Sequence, residues 1–289
     1  STYLTVSAVF FFVGLVPDIA AVRDRTPPGI RKTLLKFLSL GWMGSGRQWK
    51  HYMAAYVFFA GLATPLVISV HSVVSWDFAM SIVPGWHTTI FAPYFVAGAI
   101  LSGLAMVLTI VIPLRKAFRV EHIIRMYHLE SMAKLLLFTS LIVGYAYGVE
   151  FFTAWYSGNV FEKAIFTYRP TGDYALPFWT MVICNTIVPL LFFIRKIRTN
   201  LITLFIISIL VNIGMWFERY NIIVTSLSHE FLPHSWGVYR ISLTEYGILI
   251  GSFGWFFLLF LSFIKILPAI SVAEVKESMG FPPRKGGHA

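Results

Sequence analysis

Seven long apolar runs constrain this chain more than any other feature. A helix that crosses a bilayer needs about 20 predominantly apolar residues. Runs of that kind fall near 1–17, 52–74, 89–114, 132–156, 174–194, 201–217 and 245–267. In lipid every backbone N–H and C=O must be satisfied within the protein, which leaves helices or a closed barrel. The period-two alternation of barrel strands is absent. The expected fold is therefore all-α, a polytopic membrane helical bundle. Pro17, Pro65, Pro93, Pro113, Pro177, Pro189 and Pro268 lie within or at the ends of the runs. Membrane helices tolerate them when neighbours take up the freed carbonyl. Composition agrees, with 57% of residues hydrophobic and 12% charged against about 25% charged in soluble domains. That excludes a soluble enzyme, a disulfide scaffold and a disordered chain. The single cysteine, Cys184, lies in an apolar run. It makes no intrachain disulfide and is too few for a cysteine-held iron–sulfur cluster or zinc site.

The net charge of +10 would suggest nucleic acid in a soluble protein. Here the basic residues sort by side of the membrane instead. One set of loops and ends carries eighteen: Arg23, Arg25, Arg31, Lys32, Lys36, Arg47, Lys50, Arg115, Lys116, Arg119, Arg125, Arg195, Lys196, Arg198, Lys265, Lys276, Arg284 and Lys285. The alternate set carries four, Lys163, Arg169, Arg219 and Arg240. Such a split is the positive-inside signature, so the basic side and the C-terminus are expected to be cytoplasmic. The chain reads as one integral membrane domain, 1–289, with a cytoplasmic surface loop at 18–51 and a polar cytoplasmic tail at 272–289. Gly44-Ser45-Gly46 in that loop follows no strand, so it is no dinucleotide fingerprint. The start has no initiator Met and no basic n-region, unlike a signal peptide, and further residues and helices are expected upstream. The loops on the other side are rich in aromatics such as Trp76, Trp86, Trp155, Trp236 and Tyr239, as in an interfacial belt.

Ionisable residues at membrane depth are functional hypotheses by default. His71, Ser75, Trp76 and Asp77 close the second run. His71 and Ser75 share a helix face. Asp77 stands roughly 240° from His71 on an ideal helix, so a bend after Ser75 is needed to bring the two together. A histidine with a carboxylate suits a quinol, one group accepting a hydroxyl proton and the other orienting the second oxygen. An interfacial His and a capping Asp are the plainer alternative. His87 is a further candidate for that site, and Thr88 or Thr89 reads as the N-cap of the third span. A polar series, His128, Glu130, Lys134, Glu150, Glu218 and Arg219, suggests a proton relay. Glu130 and Lys134 are spaced to form an i,i+4 ion pair. Glu150 has no basic partner in sequence reach. Glu218 and Arg219 are helix neighbours and are expected to point apart, with Asp77, Glu150 or Glu245 as partners for Arg219. No two histidines lie at matching depth within apolar runs, so haem is not expected on this chain, and no metal site is assigned.

Two blocks carry a resemblance. The run His71-Ser-Val-Val-Ser-Trp-Asp-Phe-Ala79 is followed by Pro84-Gly-Trp-His-Thr-Thr-Ile-Phe-Ala-Pro-Tyr-Phe-Val-Ala-Gly-Ala-Ile100. With Gly41–Tyr52, Arg198–Leu201 and Trp216-Phe-Glu-Arg-Tyr220, they resemble membrane subunits of the NrfD/PsrC type, and more narrowly those of bacterial alternative complex III. The resemblance implies two four-helix bundles in a full-length subunit of the bacterial inner membrane. It implies oxidation of menaquinol or another quinol at the outer face, with Asp77 and His71 toward the pocket. Electrons would pass to an iron–sulfur subunit and onward through multihaem and monohaem c-type cytochrome subunits, beside a second NrfD-like membrane subunit. The iron–sulfur clusters and haems would belong to those partners. Two alternatives stay open: an anchor or proton channel with no quinol site of its own, and a quinone-reducing, polysulfide-reductase-like subunit.

Overall fold

The computed structural model describes residues 1–275 apart from 230, 233, 235, 269 and 274. The rest of the tail, with Lys276, Arg284 and Lys285, lies outside the described residues. The main helices are α1 (Thr2–Arg25), α2 (Ile30–Leu38), α3 (Gly46–Ala79), α4 (Phe91–Ala117), α5 (Met126–Ser157), α6 (Val160–Thr171), α7 (Ala175–Phe193), α8 (Leu201–Ser228) and α9 (Leu243–Ile266). All but α2 and α6 are long and apolar enough to cross a membrane, and no strand occurs among the described residues. This is a multi-pass integral membrane protein.

The apolar runs locate the spans, but several helices overrun them. Backbone hydrogen bonding continues into polar flanks, so α3 and α5 extend beyond both ends of their runs and α8 reaches Ser228. The segment 18–51, expected as one surface loop, contains the last turns of α1, all of α2 and the first turns of α3. Pro17 and Asp18 lie inside α1 and are buried.

The chain divides into two units. One comprises 1–67 and 241–289. Here Asp18 accepts the backbone N–H groups of Val272 and Ala273 at 2.9 and 3.3 Å. Arg23 donates to Ser39 Oγ and to the Trp42 carbonyl at 2.8 and 2.9 Å, and the Trp42, Trp49 and Tyr52 rings meet edge to face. A reciprocal capping box between Ser242 and Glu245 starts α9, so Glu245 serves its own helix.

The other unit, 68–240, is built on a four-helix bundle. In it α4 packs on α5 and α8, and α7 packs on α8 and α5. Buried residues of α4, α5 and α8 include series at alternating steps of three and four. On α4 the series is Phe91, Tyr94, Gly98, Leu101, Ala105 and Leu108, with Phe95 and Ala97 buried beside it. On α5 it is Leu129, Ala133, Leu136, Ser140, Val143, Tyr147, Glu150 and Ala154, with Leu137, Thr139 and Ala146 beside it. On α8 the series is Leu204, Ser208, Val211, Met215, Glu218, Ile222 and Thr225, with Ile207, Gly214 and Asn221 buried beside it. That is the seam of a left-handed bundle. Two acids, Glu150 and Glu218, occupy seam positions and so face inward.

Candidate functional site

The site begins with a proline. Pro189 has no N–H to return to the Asn185 carbonyl in the regular i→i−4 pattern, and α7 widens into a π-turn over Ile183–Ile187. Such bulges frequently mark functional sites. The Ser140 hydroxyl of α5 donates to the Asn185 carbonyl at 2.6 Å. Across the bundle, Gly214 of α8 lets the π-turn come close: a Cβ there would overlap Asn185 Oδ1 and lie 2.7 Å from Cys184 Cβ. The Asn185 amide is thereby held between α5 and α8.

It meets a buried carboxylate. Asn185 Nδ2 donates to the Tyr147 hydroxyl at 2.9 Å and lies 3.4 Å from Glu218 Oε2. Tyr147 in turn donates to Glu218 Oε2 at 2.5 Å. Glu218 is fully buried. Arg219 Nη1 lies 3.3 Å from Glu218 Oε1, and its guanidinium sits over the Phe95 ring at 4.8 Å. The expectation that these neighbours point apart is corrected: Glu218 follows the seam, and the long Arg219 side chain folds back to it. Tyr94 stacks edge-on against Tyr147 at 5.7 Å.

Glu150 follows Tyr147 on the same seam of α5 and is also buried. Its Oε1 has no hydrogen-bond partner among the described residues. On one side it borders a void of about 10 Å³ shared with Tyr94, Tyr147, Arg169 and Asn221, about the space of a single water. On the other it lines a cavity of about 420 Å³ with Gly85, His87, Thr88, Asn159 and Glu162. A small void that Tyr147 also lines and an open cavity therefore meet at one carboxylate.

The short helix α6 supplies the opposite wall. Asn159 caps it, accepting from the N–H groups of Phe161 and Glu162. Glu162 and Arg169 are seven residues apart and share its inner face. Glu162 accepts the Gly85 N–H at 3.0 Å. Gly85 has φ +84°, and a Cβ there would lie 2.8 Å from Ser226 Oγ, so the turn needs glycine in both conformation and space. Arg169 is buried, donates to Thr225 Oγ1 and Ser226 Oγ at 3.1 Å each, and lies over the Phe166 ring. Burial lowers its pKa, against the charges of Glu150, Tyr94 and Glu162. Trp86, assigned to an aromatic belt from sequence, is half-buried and donates to the Ile222 carbonyl at 2.6 Å.

The other sequence candidates are more scattered. No bend follows Ser75, because α3 runs on to Ala79. His71 and Asp77 therefore stay on different faces of the helix. Ser75 is buried and donates to the Ser72 carbonyl at 2.6 Å, while Trp76 and Asp77 are exposed. His87 is exposed, with Nδ1 3.5 Å from the Ser81 carbonyl. The N-cap of α4 is Ile90, without a side-chain bond, so neither Thr88 nor Thr89 caps it. At the end carrying Arg198, Glu130 pairs with Lys134 at 3.2 Å and with Arg198 at 2.9 Å, and His128 is exposed. Leu136 and Val143, both buried, stand on the α5 seam between that group and Tyr147. Sequence reasoning missed Arg169 and Asn185. An amphipathic pattern over 160–171 and a proline four residues after Asn185 were the available signals.

Seven membrane-length helices and an interior that buries Glu150, Glu218, Tyr94, Tyr147 and Arg169 define a polytopic membrane protein with a polar interior. Residues 63–229 match the family model described as polysulphide reductase, NrfD, and the chain belongs to that family. It is also 29% identical over 168 residues to a putative dimethyl sulfoxide reductase membrane subunit of Halobacterium salinarum. That match takes in 56% of this chain and 38% of the relative.

Proposed function

We propose that this chain is the membrane subunit of a quinol-oxidising respiratory complex of the alternative complex III type, in a bacterial inner membrane, with its C-terminus cytoplasmic. Menaquinol or a similar quinol is oxidised at the outer face, the end of the bundle that carries Gly85. Two electrons leave to an iron–sulfur subunit and onward to c-type cytochrome subunits. Two protons leave the quinol hydroxyls, and a second NrfD-like membrane subunit stands beside this one. The observation that carries this reading is the position of Glu150, between the 420 Å³ cavity and the small void that Tyr147 also lines. A buried carboxylate with an unused oxygen is equipped to take and return a proton. The Tyr147 hydroxyl and Glu218 continue the path, and Arg219 balances the Glu218 charge.

The test is quinol turnover by the assembled complex. Glu150→Gln keeps the shape and removes the titrating group, so the rate should fall on the order of 10²-fold, as for loss of an acid–base group. Unchanged turnover would favour an anchor without a quinol site. A second reading, service to a reductase, takes its support from the halobacterial relative, named as a membrane subunit of a putative dimethyl sulfoxide reductase.

A further inference from the structure

Between two spans, α2 turns an apolar stripe outward. α1 ends at Arg25 and α3 begins at Gly46, and both are long and apolar enough to cross a membrane. The link that carries α2 therefore stays beside one membrane surface. Ile30, Leu34 and Phe37 stand at i, i+4 and i+7 on one face of α2, and they are 85%, 56% and 78% exposed. Leu35, the one buried residue of the helix, stands roughly 140° from Ile30, so the stripe is not the face that packs on α1. A clamp holds the helix in this pose. Arg23 of α1 donates to Ser39 Oγ and to the Trp42 carbonyl, and the buried Ser39 hydroxyl donates to the Lys36 carbonyl at 3.1 Å. An apolar stripe held outward marks a protein or membrane contact.

Charge decides between the two. From 26 to 50 the chain carries Arg31, Lys32, Lys36, Arg47 and Lys50 and no acid. Lys32 and Lys36, four residues apart, share the face of α2 opposite the stripe. Apolar side chains on one face and cations on the other are the pattern of a helix that lies in the membrane plane, and cations at that level attract anionic lipid. We infer that α2 lies in the plane of the membrane surface, with Ile30, Leu34 and Phe37 among the acyl chains and Arg31, Lys32 and Lys36 on anionic phospholipid headgroups. The inference concerns the unit of 1–67 and 241–289 alone and does not rest on the quinol reading.

The experiment is nitroxide accessibility by electron paramagnetic resonance, on the complex in vesicles of phosphatidylcholine mixed with phosphatidylglycerol. Cys184→Ala removes the single native thiol of this chain, and Leu34→Cys, Phe37→Cys or Lys36→Cys carries the label. All three labelled positions are exposed, so the labels leave the packing intact. Oxygen concentrates in hydrocarbon and a nickel chelate in water. Labels at 34 and 37 should respond severalfold more to oxygen than to nickel, and the label at 36 should show the reverse. In vesicles of phosphatidylcholine alone, the labels at 34 and 37 should become more accessible to nickel. Joint Arg31→Gln, Lys32→Gln and Lys36→Gln should remove that difference between the two vesicles. Nickel dominating at 34 and 37 would put the stripe in water and overturn the inference. Shielding from both reagents would mean that protein covers the stripe, which overturns it too. Equal accessibility in the two vesicles before any cation is replaced would overturn the assignment to anionic headgroups.

Discussion

Glu218 is the residue whose burial most needs explaining. A carboxylate with no exposed surface is costly unless it is paired and hydrogen-bonded. Here Tyr147, Asn185 and Arg219 share that task. Tyr147→Phe removes one donor and leaves Asn185 Nδ2 without the hydroxyl it serves. It should cost about 1–3 kcal/mol, read as a lower unfolding temperature in detergent; an unchanged temperature would mean that the hydroxyl contributes nothing. Glu162 makes a different prediction. Burial raises its pKa, against the Gly85 N–H, Arg169 and His87. Its contribution to stability is thus full below the ordinary carboxylate value of 4.5 and is lost as pH rises through the raised value. Glu162→Gln stays neutral and should flatten the fall in Tm as pH rises above 4.5. A variant whose Tm follows the wild-type curve would contradict that sign.

Among the elements, α7 holds the most information in the fewest residues. Its π-turn depends on Pro189 and on the Ser140 hydroxyl that serves the Asn185 carbonyl. Ser140→Ala should destabilise by about 1–3 kcal/mol. In a Pro189→Ala background, which returns an N–H to the helix, the same change should cost less. A double-mutant cycle measures that coupling, and strict additivity would refute it. Gly214→Ala forces a methyl into Asn185 Oδ1 and Cys184 Cβ and should cost about 1–3 kcal/mol by overpacking. The seven spans were legible because hydrocarbon leaves a long apolar helix few alternatives. Their polar continuations, such as the last turns of α1 through Asp18, were not, because what covers them comes from residues 272 and 273. Glu150 stood out as an acid within an apolar run and Glu218 as one at a run's end, and the three-and-four seam would have aimed both inward. Arg169 was hidden in a link between spans, since the burial of α6 comes from packing on α5 and α7.

At the scale of the molecule, charged groups separate into two kinds. Glu130, Lys134 and Arg198 satisfy one another at one end of the bundle, while Glu150 keeps an unused oxygen between cavity and interior. In the function proposed above, the relay is assigned to Glu150 and not to the paired Glu130. α9 has no buried residue in its own unit, and an apolar helix so exposed belongs in hydrocarbon. The most direct measurement is the ratio of protons released to electrons transferred by the complex reconstituted in liposomes. Glu150→Gln is expected to lower that ratio, and Glu130→Gln is expected to leave it at the wild-type value. A normal ratio in Glu150→Gln, with a reduced one in Glu130→Gln, would contradict the account.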